Sequence, residues 1–122
     1  MIPFVAMTPE SAEGTPLTTL AEDEILIRAS VREFALAQVR PRVREMDEQA
    51  KIPKTLIDGL FDLGVMGIEI PERFGGSGGR FFHAVLAVEE LSRIDPSIGV
   101  LVDGAIVDVL AALRETSPLL AR

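Results

Sequence analysis

The residues best suited to chemistry in this chain are four glycines, one histidine and two adjacent glutamates, all between positions 75 and 90. Glycines at 75, 76, 78 and 79 could let backbone amides approach a phosphate, since no side chain stands in the way. However, no lysine followed by serine or threonine comes after them, and Phe81 stands where a dinucleotide fingerprint needs its third glycine. The pattern therefore favours a turn-rich loop, with a ligand-facing loop as the alternative.

His83 is the single histidine and lies in an apolar segment, which favours a histidine at the edge of the core over a metal ligand. Glu89 and Glu90 would point about 100° apart on a helix, so at most one can face a given cavity as a general base. We expect them to make structural hydrogen bonds or ion pairs. The residues alone thus identify no catalytic group, no metal site and no specific cofactor-binding residue.

The remaining charged residues indicate solvated surface. Asp103 and Asp108 would lie about 140° apart on a helix, which excludes a shared carboxylate pair. The arginines at 40, 42 and 44 are flanked by acidic residues and predict a mixed charge surface. A net charge of −7, with six Phe and neither Tyr nor Trp, argues against nucleic-acid binding.

The composition is that of one domain, since 122 residues with 48% hydrophobic side chains can bury a single core. The lack of cysteine excludes disulfides and zinc-thiolate sites and makes the cytoplasm the expected compartment. We expect a flexible leader over residues 1–18, a helical domain over 19–114 and a tail of unclear structure over 115–122. The apolar stretch Ile98 to Leu113 is shorter than the roughly 20 residues of a membrane helix, which predicts a buried helix without membrane insertion.

Capping and breaking signals predict an all-α, orthogonal or bundle-like domain of about five helices. Thr19 and Glu22 have capping-box spacing for a first helix to about Val39, and Pro41 should interrupt the chain before a second, charged helix over 42–49. A third helix should begin at Pro53 and end at Gly64, followed by an extended, buried connector over 65–70.

The last two helices are expected over 80–94 and from Asp95-Pro96 to about Arg114. Both are apolar nearly all round, so three amphipathic partners cannot enclose them fully. We expect leftover apolar surface that docks onto another domain or subunit, or makes the isolated chain self-associate.

Four successive segments give the chain a family resemblance. They are Pro41-Arg42-Val43-Arg44-Glu45-Met46-Asp47-Glu48, Leu60-Phe61-Asp62-Leu63-Gly64-Val65-Met66-Gly67-Ile68, the loop from Pro71 to Gly78, and Val88-Glu89-Glu90-Leu91-Ser92-Arg93. In this order they resemble the amino-terminal domain of the FAD-dependent acyl-CoA dehydrogenases, over roughly Leu20 to Val102. The resemblance weakens after Val102.

The resemblance implies a larger enzyme with a middle β domain and a carboxy-terminal helical domain, usually a homotetramer. FAD takes the β hydride, a glutamate of the carboxy-terminal domain removes the α proton, and an electron-transfer flavoprotein accepts the electrons. Leu101 and Ala105 match the wall of the acyl-chain cavity, where small or apolar residues would suit a short or branched acyl-CoA. This chain would lack the base and most of the flavin site, so we expect it to be truncated and inactive alone.

Two alternatives remain open from the sequence. One is a standalone helical dimerisation or interaction module that kept the fold and lost the chemistry. The other is the amino-terminal part of a related flavin oxidase or monooxygenase.

Overall fold

The computed structural model describes Pro16 and residues 19–116, in which five α-helices occur and no strand. The helices are α1 (Glu22–Phe34), α2 (Val43–Gln49), α3 (Lys54–Leu63), α4 (Phe81–Ile94) and α5 (Pro96–Thr116). The all-α prediction with about five helices is confirmed. The expected leader, residues 1–18, lies outside the described residues except for Pro16, and so do the last six residues of the expected tail.

The first helix begins two residues later than its capping signal predicts. The backbone N–H of Ala21 donates to the carboxylate of Glu24 at 2.6 Å, so Glu24 performs the role that the sequence suggested for Glu22. The expected start at Thr19 is therefore wrong. Three acidic residues in the first turn of α1 favour this end through the helix dipole.

Pro41 interrupts the chain as predicted. After α1 the backbone makes a π-helical turn over Ala35–Val39 and a 3₁₀ turn over Arg40–Arg42, and α2 follows directly. Pro41 has no backbone N–H and cannot donate an α-helical hydrogen bond, so the chain changes its helical type here. Ala35 and Val39 remain fully buried through the change.

Gly64 ends a helix and Asp95 begins one, as the sequence predicts. Gly64 ends α3 in the left-handed conformation, with φ of 89°. The carboxylate of Asp95 accepts hydrogen bonds from the backbone N–H of Ser97 at 2.8 Å and from its hydroxyl at 2.6 Å. Asp95 thus caps α5. Pro96 occupies the first turn, where a backbone N–H would have no acceptor within the helix.

The connector between α3 and the glycine-rich loop is not extended, so that prediction is wrong. It forms a 3₁₀ turn over Val65–Gly67, and the N–H of Ile70 donates back to the carbonyl of Gly67 at 3.1 Å. Its apolar side chains are buried, as expected: Val65, Met66, Ile68 and Ile70.

The core lies between α1, α4 and α5, with α3 and the connector closing one side. Its fully buried large side chains are Val31, Val39, Leu56, Leu60, Val65, Leu91, Ile98 and Val102. The single residue Asp95 joins α4 to α5, and the two helices pack against each other on either side of that reversal. Leu91 of α4 and Ile98 of α5 are each completely buried.

The fifth helix is buried along one face only. Ile98, Val102 and Ile106 fall at four-residue spacing and enter the core, whereas Val107 and Val109 are exposed. Its 21 residues have a mean hydropathy of 1.8 over the most apolar window, of which 24% is buried, so within the described residues α5 alone is long and apolar enough to cross a membrane. The prediction of a buried helix is therefore wrong for α5 as a whole, because only the face that carries Ile98, Val102 and Ile106 is buried.

Candidate functional site

The backbone N–H groups of the glycine-rich loop donate hydrogen bonds within the protein. The N–H groups of Ser77, Gly78 and Gly79 donate to the carbonyls of residues 67, 70 and 68 at 2.9, 2.9 and 2.6 Å. Gly75 and Gly76 donate to the carbonyls of residues 72 and 71. No amide from 75 to 79 is therefore left to bind a phosphate, and the turn-loop interpretation is the one that the structure supports.

One glycine of the loop is required by close approach of two backbone segments. A Cβ built at Gly76 would overlap the carbonyl oxygen of Ile70. The hydroxyl of Ser77 adds a hydrogen bond to the carbonyl of Gly64 at 2.8 Å, at the end of α3. The loop consequently fastens the buried connector to the third helix and fixes the position where α4 begins.

A cleft of about 620 Å³ lies between this loop and the start of α1. Acidic and basic side chains line it together with the histidine: Asp23, Glu69, Glu72, Arg73, Arg80 and His83. The guanidinium of Arg80 lies 3.7 Å from the carboxylate of Asp23 and 3.6 Å from that of Glu24. Two carboxylates hold Arg80, and the acidic residues Asp23, Glu69 and Glu72 outnumber the two arginines of the lining. The cleft therefore offers no concentrated positive charge for a phosphate or a carboxylate ligand.

His83 is buried at the inner wall of this cleft, and both of its ring nitrogens are engaged. Nδ1 accepts the backbone N–H of Arg80 at 3.0 Å, which leaves the proton on Nε2. Nε2–H donates to the carboxylate of Asp23 at 3.0 Å. The histidine thus links the first turn of α4 to the first turn of α1, a structural role that agrees with the core-edge interpretation.

The two adjacent glutamates have separate structural roles, as expected. Glu90 is buried and accepts two hydrogen bonds from the guanidinium of Arg32, at 2.8 and 2.9 Å. Glu89 is exposed and pairs with Arg93 one turn away at 3.2 Å. The hydrogen bonds from Arg32 hold the pKa of Glu90 below its ordinary value, and Glu90 raises the pKa of Arg32. A paired, ionised carboxylate of this kind is a poor general base.

The predicted wall residues Leu101 and Ala105 lie one turn apart on α5 and are both partly buried against the core. Neither residue lines the cleft beside His83. Their role in an acyl-chain cavity stays a prediction. Among the described residues, no group of three His, Asp or Glu side chains is placed to hold a metal ion.

Sequence reasoning missed the partners that give His83 and Glu90 their roles. Asp23 and Arg32 are 60 and 58 positions away along the chain, and no local pattern connects them to α4. The available signal was burial: an ionisable residue within an apolar helix needs a partner of opposite charge or a hydrogen bond. That rule predicts that a partner exists without saying which.

Comparison with known proteins identifies the same family that the four sequence segments resemble. The family described as "Acyl-CoA dehydrogenase, N-terminal domain" matches residues 21–113. A short/branched chain specific acyl-CoA dehydrogenase of Bos taurus is 46% identical over 88 residues, which cover 72% of this chain and 20% of that protein. A probable enzyme of the same description from Dictyostelium discoideum is 44% identical, with 72% and 21% covered.

A more distant bacterial relative and one solved structure agree with them. The short-chain specific acyl-CoA dehydrogenase of Clostridium acetobutylicum is 37% identical, with 67% of this chain and 22% of that protein covered. A solved structure described as an electron transferring flavoprotein of Acidaminococcus fermentans matches 70% of this chain and 22% of that chain, with a TM-score of 0.66 and 36% identity. The chain spans about one fifth of the length of the curated relatives it matches.

Proposed function

Because this chain belongs to the acyl-CoA dehydrogenase family through its amino-terminal domain, we propose that it is the helical part of an FAD-dependent enzyme that acts on a short or branched acyl-CoA. The observation that carries the proposal is the match over residues 21–113, together with identities above 40% to relatives described as short/branched chain specific. The reaction proposed for the complete enzyme is α,β-dehydrogenation of the thioester.

The proposed contribution of this domain is one wall of the acyl-chain cavity. Leu101 and Ala105 present apolar surface that is only partly covered by the core. A small side chain at 105 leaves room for a branch, and each methylene buried there contributes about 0.8 kcal/mol to binding. Steric fit at these two positions would then select the acyl chain.

The chain alone is proposed to be inactive. The amides of the glycine-rich loop are satisfied internally, so the described residues do not fit the diphosphate of FAD. Glu90 is held ionised by Arg32 and His83 has no free ring nitrogen, so neither can accept a proton from a substrate. Flavin binding and proton abstraction would come from the remainder of the enzyme.

The partners proposed for the complete enzyme are its acyl-CoA substrate, an electron-transfer flavoprotein and further copies of itself. The expected cytoplasmic compartment also stays a prediction. A second candidate function, a standalone interaction module, is favoured by the exposed apolar side chains of α5, which include Val100 at 72% exposure and Val107 at 56%.

Two experiments test the proposal. First, the isolated chain is mixed with FAD, freed of unbound cofactor and examined by visible absorption. We expect no retained flavin. Retained flavin that is bleached by anaerobic addition of a branched acyl-CoA would show that the proposed inactivity is wrong.

Second, residues 19–114 replace the matching domain of the bovine short/branched chain enzyme, and the chimaera is assayed with short, branched and longer acyl-CoA. We expect flavin binding and oxidation of the short and branched substrates. Ala105→Leu should lower kcat/KM for the branched substrate about tenfold or more, whereas the exposed control Asp108→Ala should not. A chimaera that binds flavin and oxidises none of these thioesters would overturn the proposed function.

A further inference from the structure

His83 lies where a change of its charge must alter the chain around it. It is the single histidine of the sequence, and imidazole is the side chain that ordinarily changes charge between pH 5 and 8. The side chain is 8% exposed and lines the cleft between the glycine-rich loop and α1. Its two ring nitrogens have partners in different elements: Arg80 at the start of α4, and Asp23 on α1.

The hydrogen bond at Nδ1 requires a neutral imidazole. Nδ1 accepts the backbone N–H of Arg80 at 3.0 Å, and a nitrogen that accepts has no proton of its own. Arg80 is the N-cap of α4, so this bond satisfies an N–H at the start of that helix. In the imidazolium both nitrogens are donors, and two N–H groups would then face each other. Nδ1 can therefore take up a proton only by giving up the N–H of Arg80.

The backbone at the end of the loop packs against Nδ1. A Cβ built at Gly79 would lie 3.2 Å from this nitrogen, so the ring rests against the loop there. The N–H of Gly79 donates to the carbonyl of Ile68 at 2.6 Å, which joins the same backbone to the buried connector. A proton on Nδ1 consequently requires the ring to turn toward the cleft, or the chain at Arg80 to move away.

The hydrogen bond at Nε2 survives the change of charge. Nε2–H donates to the carboxylate of Asp23 at 3.0 Å, and an imidazolium donates to the same oxygen with a full positive charge. Carboxylates ordinarily stay ionised between pH 5 and 8, so this partner favours the charged ring. Protonation thus keeps the link from α4 to α1 while it removes the link to Arg80.

The side chain of Arg80 loses an interaction at the same time. Its guanidinium lies 3.7 Å from the oxygen of Asp23 that the imidazole binds, and 3.6 Å from Glu24. An imidazolium competes for that oxygen and places a like charge beside the guanidinium. Three further charged residues line the cleft: Glu69, Glu72 and Arg73. Both ring nitrogens already have partners, so these three act on the imidazole through space.

We propose that His83 is a pH-sensitive switch that holds or releases the end of the glycine-rich loop. In the closed state the neutral ring accepts the N–H of Arg80, and α4 begins with a satisfied cap. In the open state the imidazolium stays with Asp23, and Arg80 is released at its backbone and at its side chain. The loop end and the first turn of α4 then loosen while α1 and α4 remain joined.

This switch does not rest on the proposed enzyme activity. All of its groups lie within residues 19–94, and the imidazole is buried within this domain. Its tests read the protonation of one ring and the hydrogen bond of one amide. A failure of the switch would therefore leave the proposed function untouched, and the reverse also holds.

Nuclear magnetic resonance of the ¹⁵N-labelled 122-residue chain tests the closed state. A single histidine gives a single set of ring signals, so their assignment is unambiguous. At about pH 8 we expect the neutral tautomer with its proton on Nε2. We also expect a scalar coupling across the hydrogen bond between the amide nitrogen of Arg80 and Nδ1. A neutral ring with its proton on Nδ1 would overturn the proposal.

A titration from about pH 8 to about pH 5 tests the opening. As the ring becomes charged, the coupling to Arg80 should disappear. The protection of that amide against hydrogen exchange, corrected for the intrinsic effect of pH, should fall roughly threefold to tenfold. An amide that keeps its coupling and protection beside a charged ring would refute the switch, and so would a ring that stays neutral throughout the titration.

His83→Gln separates the switch from a general effect of acid. Glutamine accepts the N–H of Arg80 through its side-chain oxygen and has no charge to change, so the protection of that amide should be the same at both ends of the titration. Circular dichroism checks that the variant keeps its helical content. A loss of protection equal to that of the unmodified chain would assign the effect to another group and overturn the proposal.

Asp23→Asn and Glu69→Gln are a matched pair that tests the open state. Each removes one carboxylate from the lining of the cleft, but only Asp23 binds the imidazole. Asp23→Asn should shift the midpoint of the ring titration to lower pH, because the imidazolium loses its partner, and Glu69→Gln should shift it less. Equal shifts in the two variants would contradict the proposed open state.

Discussion

Arg32 on α1 and Glu90 on α4 form a two-point ion pair, with Nε 2.9 Å from Oε2 and Nη2 2.8 Å from Oε1. The side chain of Glu90 is 3% exposed, whereas that of Arg32 is 47% exposed. A buried carboxylate thus reaches its partner at the edge of the core, where the cation keeps part of its hydration. Its two hydrogen bonds offset the loss of water around the carboxylate.

Replacement of Glu90 by glutamine should destabilise the domain. Gln at this position keeps the size of the side chain but removes the charge that accepts both guanidinium hydrogen bonds. We expect the free energy of unfolding to fall by about 1–3 kcal/mol, measured by urea denaturation at neutral pH. Glu89→Gln is the matched control on the exposed neighbour, and its effect should stay within about 0.5 kcal/mol. Equal effects of the two variants would contradict the assigned role of Glu90.

The same ion pair predicts how stability depends on pH. The pKa of Glu90 in the folded chain lies below its ordinary value of 4.5, mainly because Arg32 donates to the ionised form. Between the lowered pKa and about 4.5 the unfolded chain binds more protons, so the free energy of unfolding rises with pH in that window. Its contribution is complete above about 4.5 and is lost as the pH falls through the folded pKa.

Urea titrations across acidic pH should therefore show a steeper loss of stability in the unmodified chain than in Glu90→Gln. The control is Asp108→Asn, which removes an exposed carboxylate and should leave the slope unchanged. Identical pH profiles for the unmodified chain and Glu90→Gln would show that another carboxyl carries the dependence.

His83 gives a prediction about hydrogen-bond replacement. His83→Ala leaves the N–H of Arg80 without its acceptor at the start of α4, which should lower stability by about 1–3 kcal/mol. Glutamine at the same position can accept that N–H through its side-chain oxygen, as in a capping box. His83→Gln should thus lose less stability than His83→Ala in thermal or urea unfolding. The assignment fails if the alanine variant is the more stable of the two.

Replacing either of two glycines of α5 by alanine should change the stability of the domain, in opposite directions for the two positions. A Cβ at Gly99 would overlap the hydroxyl of Ser92 and lie 3.3 Å from the carbonyl of Val88, where α4 and α5 pack closely. Gly99→Ala should destabilise by about 1–3 kcal/mol through overpacking. Gly104 has open space at this position, so Gly104→Ala should stabilise the helix by about 0.5–1 kcal/mol.

Calorimetric unfolding of both variants checks the difference, and each serves as the control for the other. If Gly99→Ala were as stable as Gly104→Ala, the close packing of α4 against α5 at Ser92 would be wrong. Circular dichroism before heating ensures that the folded states compared have the same helical content.

The parts of the fold that sequence predicts well are those decided by local chemistry. Gly64 ends a helix because glycine adopts positive φ readily, and Asp95 with Pro96 begins one because the carboxylate caps the turn that proline starts. Pro41 breaks the α-helical ladder for the same kind of reason. Each outcome depends on one or two adjacent residues.

The parts that failed depend on choices or contacts beyond the local segment. Thr19 with Glu22 has valid capping spacing, but Glu24 offers the same carboxylate to Ala21, and only the folded chain shows which is used. The connector after Gly64 becomes a turn because amides of the glycine-rich loop donate to its carbonyls from about ten residues away. Local propensity contains no information about those donors.

The roles of the site residues were likewise predictable from local surroundings, whereas their distant partners were not. The structural interpretation of His83 and Glu90 followed from their apolar surroundings, since a buried ionisable group needs a partner. Their partners, Asp23 and Arg32, could not be named because pairs nearly 60 positions apart leave no periodic signal in one sequence.

The two polar links between α1 and α4 also determine how the domain can move. Asp23 meets His83 near the start of both helices, and Arg32 meets Glu90 further along, so the helices run in the same direction. Nine residues on α1, about 13 Å, span the two fixed points. Sliding of one helix along the other would strain both links at once, so the links oppose shear between α1 and α4. Segments outside this pair, such as the exposed second half of α5, are freer to adjust to a partner.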